Sequence, residues 1–289
     1  MKNFIYFCNS KNINNIYNIM KLKVLFVTQE ITPYLPETEM SKIGRHLPQG
    51  IQERDREIRT FLPKFGNINE RRNQLHEVIR LSGMNLVIND TDHPLVIKVA
   101  SIQPARMQVY FIDNEDFFSR KFALTEKGKE FEDNDERAIF YSRGVIETVK
   151  KLGWAPDIIH CHGWFTSLIP FYMKKVYNQD PLFENDFKIV YSVYNDNFKD
   201  SLNPNLSSKL IEDGVSPEDV EKINVPNWDN MTDFAMKYAD GIIMGSKFLS
   251  DETKLQIQDS GKPFLKPEDE DSYIDKYDEF YKKLTEKSI

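Results

Sequence analysis

Apolar residues fall in short blocks along this chain, and the blocks alternate between two periodicities. Leu22 to Thr28 is a near-continuous apolar run, the signature of a strand buried on both faces. Lys42 to Glu53 then spaces its apolar positions at helical intervals, and Glu57 to Leu62 returns to a strand, closed by Pro63 and Gly66. Leu95 to Ile102 and Met107 to Ile112 read as two strands around the hairpin-like Gln103-Pro104-Ala105-Arg106. Glu136 to Leu152 places Ile139, Arg143, Ile146 and Val149 at helical spacing, with Gly153 at its end. Ile158 to Cys161 is the next strand, Phe165 to Val176 its helix, and Lys188 to Val193 another strand. Ser216-Pro217-Glu218 combines an N-cap, a first-turn proline and an acidic first turn, which opens a short helix. Asn230 to Tyr238, Gly241 to Met244 and Phe248 to Ile257 form a further helix-strand-helix unit. From Asp269 the chain is a charged, Tyr-rich amphipathic helix whose aromatics read as packing residues. Strands alternating with helices predict an α/β fold with a doubly wound, mostly parallel sheet. We expect one domain over residues 22–261, followed by a helical tail at 262–289.

Composition narrows the class. A 289-residue chain with 40% hydrophobic and 29% charged residues reads as globular and soluble, with ample length for a core. The net charge of -7 argues against a nucleic-acid partner, which needs a concentrated basic surface. Arg54, Arg56 and Arg59 cluster, but Glu53, Asp55 and Glu57 interleave with them, the pattern of a solvated face. Cys8 and Cys161 stand far apart, so no disulfide framework is expected and a reducing cytoplasm fits best. Residues 1–21 are rich in Asn and Ile. Their apolar stretch, Phe4 to Cys8, is too short for a signal-peptide core, and we expect a disordered or non-native extension. Nothing in the chain approaches a membrane span.

Candidate chemistry gathers at Pro156-Asp157-Ile158-Ile159-His160-Cys161-His162-Gly163-Trp164. Here a strand ends in two histidines and a Gly-Trp pair before a helix resumes. Ligands of open α/β sheets bind at the carboxyl ends of strands, and residues two apart share a strand face. Three readings compete for the histidines: contact with a substrate, satisfaction of buried polar groups, or metal binding together with Cys161. The last is disfavoured, because Cys161 points to the opposite strand face and no second ligand cluster lies nearby.

Several stretches in fixed order resemble the amino-terminal half of bacterial glycogen synthases and plant starch synthases. These are retaining GT-B glycosyltransferases with two Rossmann-like domains facing a cleft. Thr28-Gln29-Glu30 with Pro33 is similar to that family's Ser-Glu-x-x-Pro exit from the first strand. Leu47-Pro48, Glu57-Ile58-Arg59 and Leu62-Pro63 resemble its first helix and second strand. Asp133-Asn134 followed by Arg137 is similar to its Asp-Asn-x-x-Arg segment. Pro156 to Trp164 resembles its Pro-Asp-(apolar)2-His-x-His-Asp-Trp run, with Gly163 in place of Asp. Val193-Tyr194-Asn195 stands where the family has Val-His-Asn, and Tyr238-Ala239-Asp240 with Ser246 at its Tyr-Ala-Asp…Ser.

The resemblance implies a Rossmann-like parallel sheet and transfer of glucose from ADP-glucose to an α-1,4-glucan with retention, without a metal or other cofactor. It makes His162 and Asp133 the catalytic candidates. His160, Asn195, Tyr194, Trp164 and Glu30 become candidates for substrate binding. Two departures oppose this. The family's Lys-Thr-Gly-Gly-Leu donor loop falls on Pro36-Glu37-Thr38-Glu39-Met40, where lysine and both glycines are replaced and two carboxylates would face a diphosphate. The family's second domain supplies most nucleotide contacts, whereas this chain ends soon after the first. We therefore expect either a separate second-domain partner or a catalytically degenerate module of glycogen metabolism that binds a partner or a glucan, in which case Trp154, Trp164, Tyr194 and Trp228 would stack on sugar faces.

Overall fold

The structure, a computed structural model, describes residues 21–211 and 214–286. Residues 1–20 of the expected extension, Cys8 among them, lie outside the described residues. A first unit comprises β1 (Lys23–Thr28), α1 (Glu39–Glu53) and β2 (Glu57–Pro63). An antiparallel excursion follows, with β3 (His76–Glu77), β4 (Met84–Ile88), β5 (Thr91–Ile102) and β6 (Met107–Asp113). After α2 (Glu115–Phe118), β7 (Thr125–Glu126) and β8 (Lys129–Glu130) make a small ribbon. Then α3 (Asn134–Leu152) leads into β9 (Ile158–His162), and α4 (Leu168–Lys175) into β10 (Lys188–Val193). Short helices α5 (Leu206–Ile211) and α6 (Pro217–Val220) precede α7 (Trp228–Tyr238) and β11 (Gly241–Met244). The chain closes with α8 (Asp251–Asp259), β12 (Phe264–Leu265) and α9 (Tyr273–Thr285).

The strand order is β12-β11-β10-β9-β1-β2-β6-β5-β3, with β4 paired to β5. Every neighbour from β12 to β6 is parallel. Among the described residues of this sheet, the antiparallel pairings are those that β5 makes with β6, β3 and β4. Helices cover both faces, so the sheet is doubly wound and Rossmann-like. Alternate residues of β1 and β9 serve opposite faces. Val24, Phe26 and Ile158 pack towards α1 and α9, whereas Leu25, Val27, Ile159 and Cys161 join the larger core under α3, α4 and α7.

Local chemistry explains the elements that sequence reading left out. Asn89 (φ 49°) and Asp90 (φ 59°) form the two-residue link between β4 and β5, where only residues tolerant of positive φ suit a tight hairpin. Lys127 and Gly128 do the same between β7 and β8. The sheet also runs past residue 261, since β12 adds in parallel to β11.

The arginine cluster is not a solvated face. The Arg56 guanidinium donates twice to the Asp278 carboxylate, at 2.9 and 3.2 Å, and Arg54 Nε donates to Asp275 at 2.7 Å. Both partners lie on α9. That helix buries Tyr273, Tyr277, Phe280 and Tyr281 on the sheet, and each such side chain contributes on the order of 1.5–3 kcal/mol. Close approach is possible because the partner positions are glycines: Gly50 meets Ile274, and Gly241 meets Phe280.

Candidate functional site

Strand order reverses between β1 and β9: the chain moves to β2 on one side and to β10 on the other. Ligands of doubly wound sheets bind at the carboxyl ends of strands beside such a reversal. Parallel register sets Thr28 beside His162, so the segments that leave these strands, Gln29-Glu30 and Gly163-Trp164, emerge together. A cavity of about 420 Å³ opens there, lined by Gln29, Glu30, Trp164, Asp196, Phe122 and Glu130 among others. A smaller one of about 230 Å³ adjoins it, shares Gln29, Glu30 and Asn67, and reaches Pro36 and Thr38. Among the described residues, no Lys, Arg or His lines the larger cavity.

Backbone amides hold the acidic and amide groups in place. Gln29 Oε1 accepts the Phe165 N–H at 2.9 Å. Asp196 Oδ2 accepts the Trp164 N–H at 3.0 Å, and its Oδ1 accepts the Trp228 indole N–H at 3.0 Å. The Glu30 carboxylate accepts the Thr38 hydroxyl. Burial raises the pKa of Glu30 above the usual carboxylate range. Burial, assisted by the nearby Glu30 charge and opposed by the two tryptophan donors, raises that of Asp196 to about 6.

The two histidines lie inside the protein. Their rings sit 3.8 Å apart on the face towards α9, and His160 and His162 are 0% and 1% exposed. His160 uses both ring nitrogens, Nδ1 with the Tyr281 hydroxyl at 2.6 Å and Nε2 with Ser192 Oγ at 2.7 Å. His162 Nδ1 shares a hydrogen bond of 2.9 Å with the Tyr194 hydroxyl. Burial lowers the pKa of His162 to about 3 and that of His160 well below its ordinary value, so both rings are neutral.

The other candidates divide between surface and interior. Asp133 occupies the N-cap position of α3 without a side-chain capping bond, and Arg120 clamps its carboxylate through both guanidinium nitrogens, one at 2.6 Å. Asn195 is exposed, whereas Tyr194 is buried. Of the residues singled out from sequence, the larger cavity brings together Glu30 and Trp164; the histidines, Tyr194, Asp133 and Asn195 are not among its lining. Trp154, Trp164, Tyr194 and Trp228 are all buried; of the aromatic residues that line this cavity, Phe122, Trp164 and Phe198, the exposed one is Phe122, at 41%. Gln29, Asn67, Phe122 and Asp196 went unrecognised in the sequence. The local signal for Asp196 is its place three residues after the end of β10. Among the described residues no group of His, Cys, Asp or Glu is arranged to hold a metal ion, and no helix is long and apolar enough to cross a membrane.

The family profile for the starch synthase catalytic domain matches residues 23–261. The chain belongs to the starch synthase catalytic-domain family. A glycogen synthase of Chlorobium luteolum is 34% identical over 231 residues, which are 76% of this chain and 47% of the relative. A glycogen synthase of Chlorobium limicola is 34% identical over 234 residues, covering 80% and 47%. The chain thus spans about half the length of the curated relatives it matches. The catalytic domain of starch synthase IV from Arabidopsis thaliana, solved bound to ADP and acarbose, superposes with a TM-score of 0.69 at 18% identity. That match covers 88% of this chain and 53% of the other, and it shows the shared GT-B-type fold.

Within this glycosyltransferase family, the departures at positions 36–40 take a definite form. Thr38 is the N-cap of α1: its Oγ1 accepts the Ser41 N–H at 3.0 Å, and Ser41 Oγ accepts the Thr38 N–H at 2.8 Å. Glu39 opens the helix and accepts the Ser246 hydroxyl, while Glu37 pairs with Lys42 at 2.7 Å. The chain's own side chains occupy this helix start.

Proposed function

We propose that this chain provides the glucan-facing half of a glucosyltransferase that moves glucose from ADP-glucose to the non-reducing end of an α-1,4-glucan, with retention. The observation that carries the reading is the cavity at the strand-order reversal, in a chain of the starch synthase family. Carboxylates, amides and an exposed phenyl face suit a neutral polyol, whose hydroxyls need acceptors and whose C–H faces need an apolar surface. A diphosphate needs cations and free N–H groups instead. We therefore assign the donor's diphosphate to a second Rossmann-like unit, on this chain or a partner. ADP as donor nucleotide is supported by the ADP bound to the Arabidopsis starch synthase IV domain.

In this reading Glu30 and Trp164 meet the glucan directly, and Asn195 stands at the rim. His162, buried with its Nδ1 held by Tyr194, does not line the cavity and braces the strand end from which Trp164 leaves. His160, with both nitrogens engaged, positions His162. Asp133, clamped by Arg120 and outside the cavity lining, holds the start of α3 in place. A cytoplasmic setting fits a glucan store and a nucleotide-sugar donor.

The test has two arms. Glycogen in a native gel retards the purified chain if the cavity binds glucan, and unretarded migration at saturating glycogen overturns the reading. Proton NMR of the product from ADP-glucose and maltoheptaose, in extract of the native cell with and without this gene, reports the anomeric outcome. An α-linked product that disappears with the gene supports the donor and the retention; unchanged synthesis without the gene refutes them.

A further inference from the structure

Gly163 holds φ 78° and ψ 170°, a backbone state essentially restricted to glycine. A Cβ built there would lie 2.5 Å from Met40 Cε, 2.7 Å from Asp196 Oδ2 and 2.8 Å from Gln29 Oε1. No side chain can leave the backbone at this position. The space it would enter is already filled, and part of the filling is a carboxylate from the neighbouring strand end.

We propose that Asp196 is a further ligand-binding residue of this cavity, which accepts hydrogen bonds from adjacent hydroxyls of a bound glucosyl unit. Its orientation is fixed before any ligand arrives, because one N–H holds each oxygen: Trp164 holds Oδ2 and Trp228 holds Oδ1. A carboxylate offers about four acceptor sites, so two bonds leave capacity on both oxygens for a ligand. Asp196 lines the cavity beside Glu30, Gln29 and Asn197, planar acceptors suited to paired hydroxyls. Pre-oriented acceptors add affinity because no rotamer freedom is lost on binding. The raised pKa of Asp196 has the same origin, a carboxylate withdrawn from water and placed near Glu30.

This inference rests on the glucan reading, and the experiment separates the two. Calorimetry with maltoheptaose should show at least a tenfold loss of affinity for Asp196→Asn. Monodeoxy maltosides then identify the contact: one analogue should bind the unmodified chain as weakly as Asp196→Asn binds the parent sugar. The variant should not distinguish that analogue from the parent. Independent, additive losses across all analogues overturn the proposal, as does unchanged affinity in the variant. Should Asp196→Asn fold poorly, the unmodified chain still decides: maltoheptaose should protect Asp196 from carbodiimide coupling, read by peptide mass. Coupling that persists at saturating sugar overturns the proposal. If the unmodified chain does not bind maltoheptaose at all, the glucan reading fails first and this inference fails with it.

Discussion

Replacing Gly163 with alanine tests the local geometry on which the site depends. Two terms add. The backbone state at φ 78° and ψ 170° costs a residue with a Cβ about 1–3 kcal/mol. The new methyl also overlaps three atoms, and they do not yield equally. Met40 Cε, at 2.5 Å, is the free end of a flexible chain and can swing away. Asp196 Oδ2 and Gln29 Oε1 are tied to the Trp164 and Phe165 amides, so displacing them breaks two hydrogen bonds, one to a charged group. Loss of such bonds costs roughly 1–3 kcal/mol. The sum is about 2–6 kcal/mol, which for a chain of this size lowers Tm by on the order of 10 °C. Gly153→Ala is the control: Gly153 also has positive φ, at 60°, yet a Cβ there meets nothing within 4 Å. It should lose only the backbone part, about 1–2 kcal/mol. Scanning calorimetry on both variants reads the difference. A Gly163→Ala melting point within about 2 °C of the unmodified chain, or equal to that of Gly153→Ala, refutes the reasoning.

Three further outcomes are expected. Below about pH 6.5 the unfolded chain takes up protons that the buried neutral His160 and His162 refuse, so stability falls as pH falls. Asp196 acts in the opposite sense: its stabilising proton is held below about pH 4 and lost as pH rises through about 6. Asp196→Asn should therefore steepen the rise of stability between pH 4 and 6 by up to about 1.4 kcal/mol per pH unit, measured by urea unfolding; parallel curves would contradict it. Burial raises the Cys161 thiol far above its ordinary pKa, so a thiol reagent should label it only after denaturation, and labelling of the native protein at Cys161 disproves that burial. Finally, Pro36→Lys combined with Glu37→Gly and Glu39→Gly should strengthen ADP-glucose binding at least tenfold by calorimetry, a change of about 1.4 kcal/mol; tight binding by the unmodified chain would show that this loop is not the determinant.

The parts of this fold legible in the sequence are those set by local period and local stop signals. The apolar runs of β1, β9, β10 and β11 are strands buried on both faces, and Gly153 ends α3 in the left-handed state that a helix terminus favours. Parts set by distant partners were not legible. Arg56 looks solvated beside Glu57, and only the return of Asp278, 222 residues later, turns it into an anchor for α9. The same holds for the site. Period two correctly sets His160 and His162 on one face, but the sequence does not say that α9 covers that face and that Tyr281 engages His160. Asp196 sits in a polar run that reads as an ordinary loop. Its meaning lies across the sheet, in a glycine that no side chain could replace.

The segment from Pro36 to Met40 connects these observations. A helix start offers unpaired N–H groups and a partial positive charge, which is why anions collect there. In this chain Thr38 takes up the Ser41 N–H, and the Glu39 carboxylate already stands in the first turn, tied to Ser246 beyond β11. The Thr38 hydroxyl then donates to Glu30, which lines the sugar-sized cavity. One short chain of hydrogen bonds thus joins the helix start to the cavity wall. A diphosphate would have to displace Glu39 and would meet Glu30, Glu130 and Asp196 beyond it, all in a site where like charges repel more strongly than in water. A neutral glucan breaks none of these bonds, and its hydroxyls add donors that the carboxylates lack. The side chains that would oppose a diphosphate at this helix start are therefore the same ones whose hydrogen bonds hold the cavity wall in place.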